Sequence, residues 1–184
     1  MSAVTVLPDL ATAEAFVAWM ARQPVRQEMV EGRLVMMAGG SNAHVTIAGN
    51  LLVALRNRLR GGPCRPFGSD FMVELDPRNR FYPDVSVACG ETRDWTDRPI
   101  LVAEVLSPAT RRFDLSVKLP RYLTCPGLRH VLYLEPDRPL ARLWVPGEPP
   151  GDPAIVAGLD ARLLLPGLGL ELPMAELYED VTLG

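Results

Sequence analysis

Ile100-Leu-Val-Ala-Glu104-Val-Leu-Ser107 sets the problem that the fold has to solve. The run reads as a buried central strand, apolar almost throughout in the manner of strands covered on both faces. Glu104 stands in the middle of it. An unpaired carboxylate there costs several kcal/mol or takes up a proton, so a cation has to stand beside it. Identifying that cation decides both the fold and the chemistry.

The flanks of the strand supply the candidates. Before it, Phe81–Ala88 places Val85 and Val87 in alternation behind Pro83-Asp84, a second strand, and Gly90–Arg98 is a polar loop joining the two. After it, Ser107-Pro108 ends the strand and Arg111–Leu123 reads as a helix. Asp114 and Lys118 fall at i,i+4 on one face, with Leu115, Leu119, Tyr122 and Leu123 packing elsewhere. Pro120 inside this segment implies a kink or a helix start nearby.

Further out, helical and strand periods both occur. Ala11–Arg22 has helical spacing and is stopped by Pro24, and Gln27–Ala38 reads as a hairpin around a Glu31-Gly32 turn. Gly39-Gly40-Ser41-Asn42 offers a cap to a helix over His44–Arg60, whose closing arginines suit the helix dipole. Cys64–Leu75 alternates as a strand, and Asp76–Asn79 is a turn. Arg129–Leu134 and Ala141–Val145 are strands, Pro146–Pro153 a loop, and Ala154–Val156, Ala161–Leu165 and Leu170–Leu172 further strands before a short helix at Ala175–Tyr178. The expected class is α+β, one mixed sheet with helices packed on it. We expect a single domain over residues 1–184, with an N-terminal helix at about 11–22 and a C-terminal strand and helix extension at about 154–180.

Composition narrows the classes. The 184 residues are 48% hydrophobic and 22% charged, enough for one real core. No stretch of about 18 uncharged apolar residues exists to span a membrane, and the first ten residues lack signal-peptide features. Cys64, Cys89 and Cys125 are odd in number and widely spaced, which reads as reduced, packed thiols in a cytoplasmic protein. A net charge of −3 gives no global basic field. Of 19 basic residues, Lys118 is the only lysine. A chain that writes arginine everywhere else has a use for a compact ammonium there, one that, unlike a guanidinium, can release its proton.

These pieces form one constellation. Neighbouring strands run about 4.8 Å apart, so Asp84 and Glu104 can share a face. Two acids so close repel, and a divalent ion relieves the repulsion; oxygen ligands select a hard ion, Mg²⁺ or Mn²⁺. Lys118, delivered by the following helix, adds a cationic donor. Acid, acid, lysine and divalent ion suit phosphodiester hydrolysis. Arg111 and Arg112 lie beside this site, where they hold a phosphate backbone or form a solvated face. His44, at a helix start, either touches phosphate with help from the dipole or packs as a cap residue.

Pro83-Asp84, Glu104-Val105-Leu106-Ser107, Asp114-x-x-x-Lys118, Tyr122 and Gly127 together resemble the Uma-two family of restriction-endonuclease-like proteins, part of the PD-(D/E)xK nuclease superfamily. Glu28-Met-Val-Glu-Gly32, His44 and Asp70 resemble the family's upstream motifs. The likeness runs from about Gln27 to Trp144, with a weaker echo in Leu165–Leu177. It implies a restriction-endonuclease-like sheet flanked by helices, DNA as substrate and, by analogy, a homodimer. It also implies Asp84, Glu104 and the Val105 carbonyl as metal ligands, and Glu28 as an additional acid. Superfamily members carry their lysine two residues after the glutamate, where this chain has Leu106, so the resemblance makes Lys118 a migrated replacement.

Other readings stand beside this one. Glu104 alone fits an arginine ion pair, Asp84 a turn acid, and Lys118 a solvated helix residue paired with Asp114. No GxSxG elbow, nucleotide-binding glycine loop or zinc-ligand spacing occurs, so no nucleotide cofactor is expected. The chief rival is a nuclease-like fold serving as a dimeric or partner-binding module without metal.

Overall fold

The computed structural model describes residues 10–37, 39–91, 93–146 and 151–183. The leader reading over residues 1–9, the hairpin end at Ala38 and the middle of the 146–153 loop lie outside these. Helix α1 (Ala13–Met20) opens the described chain, followed by the hairpin β1 (Gln27–Val30) and β2 (Arg33–Met36). Its turn places Glu31 and Gly32 at φ of 51° and 78°, a left-handed pair that suits the twist of the strands. Helix α2 (Asn42–Arg58) comes next, capped by the Ser41 hydroxyl, which accepts the His44 N–H at 3.3 Å.

The chain then alternates between two sheets. Strands β3 (Cys64–Gly68), β6 (Val85–Cys89) and β8 (Pro99–Val105) enter one sheet; β4 (Met72–Asp76), β5 (Asn79–Phe81) and β7 (Trp95–Thr96) enter the other. With β9 (His130–Leu134), β10 (Leu140–Trp144) and β11 (Ala154–Ala157), the first sheet has the order β11-β10-β9-β8-β6-β3. The second is β2-β1-β5-β4-β7. The expectation of one mixed sheet is corrected here. Cys64–Leu75 is not one strand, because the chain turns at residues 69–71 and changes sheets.

The opening stretch is central in the larger sheet, antiparallel to β6 and parallel to β9. Its side chains alternate between two cores. Leu101, Ala103 and Val105 join Ile47, Leu51 and Leu55 of α2, together with the hairpin β12 (Arg162–Leu165) and β13 (Leu170–Pro173) and the helix α5 (Met174–Leu177). Val102 and Leu106 join Tyr122, Val131 and Tyr133 on the opposite face. Truncating a fully buried leucine such as Leu101 to alanine costs about 2–5 kcal/mol at sites of this kind.

That second face is covered by a helical segment of three parts: α3 (Arg111–Phe113), a π-helical turn (Asp114–Lys118) and α4 (Leu119–Leu123). Pro120 sits in the first turn of α4, where its missing N–H costs least, so the kink expected from the sequence is the π turn itself.

The expectation of three reduced thiols is also corrected. Cys64 and Cys89 are disulfide-bonded, and Cys125 is free and buried. The antiparallel register of β3 and β6 sets Cys64 directly opposite Cys89, a pairing that spacing along the chain does not reveal.

Candidate functional site

Glu104 lies between Val102 and Leu106 along β8, so alternation turns it toward the π turn and α4 and away from α2. It is only 4% exposed. One carboxylate oxygen accepts from Lys118 Nζ at 3.0 Å and from the Tyr122 hydroxyl at 2.8 Å. The cation demanded by the sequence is therefore, in the first instance, the ammonium of the only lysine. That ammonium is shared. Lys118 Nζ also lies 2.9 Å from Glu28 Oε1 and 3.9 Å from Asp114 Oδ1. Glu28 Oε1 in turn accepts the Tyr82 N–H at 2.9 Å.

Asp84 completes the group from the neighbouring strand. Val85 faces Ala103 in the register, which sets Asp84 beside Glu104. The Asp84 N–H points at Glu104 Oε2 at 3.4 Å, and Asp84 Oδ2 accepts the Val105 N–H at 2.7 Å. Its other oxygen lies 3.0 Å from His44 Nε2. A carboxylate can only accept, so the His44 proton sits on Nε2. Among the described residues, the buried Nδ1 of the same ring has no hydrogen-bond partner. Ser41 caps α2 and holds its first turn here, so the two alternatives for His44 resolve into a third arrangement: its backbone is capped and its ring is on Asp84.

Charge in this cluster is out of balance. Four carboxylates, Glu28, Asp84, Glu104 and Asp114, surround one ammonium and one imidazole. Loss of hydration, then the charges of Asp84, Asp114 and Glu28, push the Glu104 carboxyl up to about 8 against the pull of Lys118. Burial raises Asp114 as well. Burial works against the Lys118 ammonium, yet Glu104, Glu28 and Asp114 outweigh it and hold the amine protonated above its ordinary range. The hydrogen bond to Asp84 raises His44.

The cluster lines a cleft of about 320 Å³, with Met36 and Met37 from the hairpin side and Thr110 and Phe113 from the helical side. Among the described residues, no three histidine, cysteine or carboxylate side chains group so as to hold a metal ion by themselves. A two-carboxylate oxygen site is nonetheless the kind that suits Mg²⁺, which keeps several waters and completes its shell with substrate phosphate. The uncompensated acid charge fits a cation in the cleft.

The arginines singled out for phosphate lie elsewhere. Arg111 is forked onto Glu135 at 2.6 and 2.8 Å and does not line the cleft. Arg112 is exposed and does not line it either. Asp70 is an exposed turn acid paired with Arg26 at 2.7 Å. Tyr122 reads in the sequence as a packing residue, and its bond to Glu104 is new. The signal was present: Tyr122 follows Lys118 at i,i+4, on the same helical face.

Comparison with known proteins bears on the family and the fold. Residues 13–175 match the model of the Uma2 family, described as "Putative restriction endonuclease". The uncharacterized protein slr1290 of Synechocystis sp. is 34% identical over 124 residues, 65% of this chain and 65% of that protein. A second uncharacterized protein of the same organism, sll1609, is 30% identical over 118 residues, 60% of this chain and 66% of the relative. The matched part thus spans about two thirds of each relative. A crystal structure described as "a putative nuclease belonging to DUF820" from Anabaena variabilis aligns with a TM-score of 0.71 at 17% identity, covering 88% of this chain and 96% of that one. At that identity the likeness bears on the fold, and the fold is restriction-endonuclease-like. No helix among the described residues is long and apolar enough to cross a membrane. With its family model matched over nearly the whole length, the chain belongs to the Uma2 family of restriction-endonuclease-like proteins.

Proposed function

We propose that this protein is a metal-dependent endonuclease that hydrolyses phosphodiester bonds of DNA by a PD-(D/E)xK-type mechanism. One observation carries the reading: Asp84 and Glu104 stand side by side on neighbouring strands, with the only lysine on Glu104, in a cleft where acid outnumbers base. Asp84, Glu104 and the Val105 carbonyl are the ligand set. What Mg²⁺ or Mn²⁺ supplies in such a site is acidity for a water molecule and positive charge for the phosphate.

The chain's own residues have distinct tasks. Lys118 and Tyr122 hold the Glu104 carboxylate in one orientation, and the Lys118 charge also favours the extra negative charge of the transition state. The Val105 N–H and His44 fix both oxygens of Asp84. Glu28 keeps Lys118 in place from the side of β1. Cutting both strands of a duplex takes two such sites, so a homodimer belongs to the proposal.

The saturated pairing of Lys118 and the net charge of −3 favour the rival, a metal-free binding module. Incubation of the purified protein with plasmid and single-stranded DNA in Mg²⁺ and in Mn²⁺ separates the two. Cleavage is expected for the natural chain and is lost in Asp84→Ala and Glu104→Ala, by about a thousandfold or more. Lys118→Arg is impaired, because a planar guanidinium does not fit the position of a compact ammonium. Equal cleavage by the natural chain and Asp84→Ala defeats the reading.

A further inference from the structure

A second and larger hollow, about 760 Å³, shares one wall residue, the buried Tyr82, with the acidic cleft. We propose that this hollow is a nucleobase subsite, which receives an unpaired base of the nucleic-acid strand lying in the cleft. This deepens the endonuclease reading and rests on it.

The walls argue for a base over a phosphate. Phe67 and Phe71 stack with centroids 3.9 Å apart and planes 13° from parallel, and both line the hollow. Phe67, on the edge strand β3, is half-buried and offers the accessible ring, whereas Phe71 and Tyr82 are buried. The Arg26 guanidinium lies 4.7 Å from the centre of the Tyr82 ring, another flat surface. Flat aromatic and guanidinium faces are what single-strand binders use to stack bases without reading their identity. The charges here are already spent. Arg26 pairs with Asp70 at 2.7 Å, Arg93 pairs with Glu14 at 2.8 Å, and Asp94 adds a further acid. A phosphate finds no surplus cation in such walls, whereas a neutral, planar, hydrogen-bonding base finds both stacking faces and polar edges. The volume lies in the range of small-molecule sites.

Tyr82 ties the hollow to the acidic cluster. Tyr82 donates its N–H to Glu28 in the catalytic cluster, stands two residues before Asp84, and presents its ring toward Arg26 in the hollow. A strand with its phosphate at Asp84 and Glu104 then has room for a neighbouring base in the hollow, against Phe67 and Arg26.

The test measures binding of the full chain, by fluorescence anisotropy in the presence of EDTA, to short oligothymidylate and to an abasic sugar–phosphate chain of equal length. The natural chain is expected to prefer oligothymidylate. Phe67→Ala weakens that binding roughly tenfold and leaves the abasic chain unaffected, and Phe67→Tyr retains the preference. Phe67→Leu keeps apolar bulk on β3 and loses the flat face, so it gives the same loss even where the alanine variant fails to fold. Absence of binding, equal affinity for the two chains, or an unchanged preference in Phe67→Leu overturns the subsite. Base-dependent binding by a protein that cuts nothing defeats the endonuclease reading and leaves the subsite; cutting without base preference does the reverse.

Discussion

Two buried glutamates stand at the ends of neighbouring parallel strands and meet opposite fates. Glu104, next to last in β8, is 4% exposed; Glu135, just after β9, is 2% exposed. Glu135 receives a surplus of base: Arg111 forks onto it, Arg142 bonds the same carboxylate, and Arg138 lies 3.9 Å away. Hydrogen bonds from Arg111, then from Arg142, hold its carboxyl down at about 2. Glu104 receives one ammonium that it shares with two other acids, and its carboxyl is pushed up to about 8. Burial alone therefore does not mark a functional acid. On the proposed reading a buried carboxylate with base to spare is scaffold, whereas one among too many acids is a candidate ligand for a further cation.

The largest test of this contrast removes the ammonium. Lys118→Met leaves Glu28 and Glu104 buried without their common partner, and breaking a buried pair from one side costs about 3–5 kcal/mol. Chemical denaturation measures it. A loss below about 1 kcal/mol would mean that the four acids are better solvated than their burial implies, and the contrast with Glu135 would fail.

The scaffold side predicts a pH dependence of known sign. Glu135 is held below its ordinary carboxylate value when folded, so its contribution is full above about pH 4.5 and drains away as pH falls toward about 2. With Arg111 40% and Arg142 21% exposed, solvent screening reduces the contribution to about 2 kcal/mol. Glu135→Gln should therefore be destabilised near neutrality and match the natural chain near pH 2. A stability gap that persists at the acid end assigns the effect to packing and not to charge.

How much of this was legible beforehand follows from distance along the chain. The β8 strand and its misplaced acid were readable because the apolar run is local, and the pairing of Asp114 with Lys118 because helix spacing is local. Pro120 marked the irregular helix for the same reason. The sheet exchange between β3 and β4 was not readable, since alternation continues across residues 64–75 while the backbone turns. Register hid the Cys64–Cys89 bond, and sequence separation hid the claim of Glu135 on Arg111. His44 could be placed at a helix start from Ser41, but only tertiary packing puts its ring on Asp84. That Asp84 and Glu104 stand side by side was legible from strand spacing; their partners, His44 and Tyr122, needed the fold.

The smallest change sharpens the functional side of the comparison. Tyr122→Phe removes one hydroxyl and keeps the ring, which packs edge-on against Phe81 with centroids 5.5 Å apart. The lost bond to Glu104 is worth about 1 kcal/mol of stability, as for a buried hydrogen bond between neutral groups. Cleavage, however, should fall by about tenfold in kcat with KM little changed, because the hydroxyl touches the carboxylate and no part of the substrate cleft. A purely structural tyrosine would show the stability loss alone. A full rate beside the stability loss would place Tyr122 with Glu135, on the scaffold side, and leave Lys118 and the Asp84 N–H to set the orientation of Glu104.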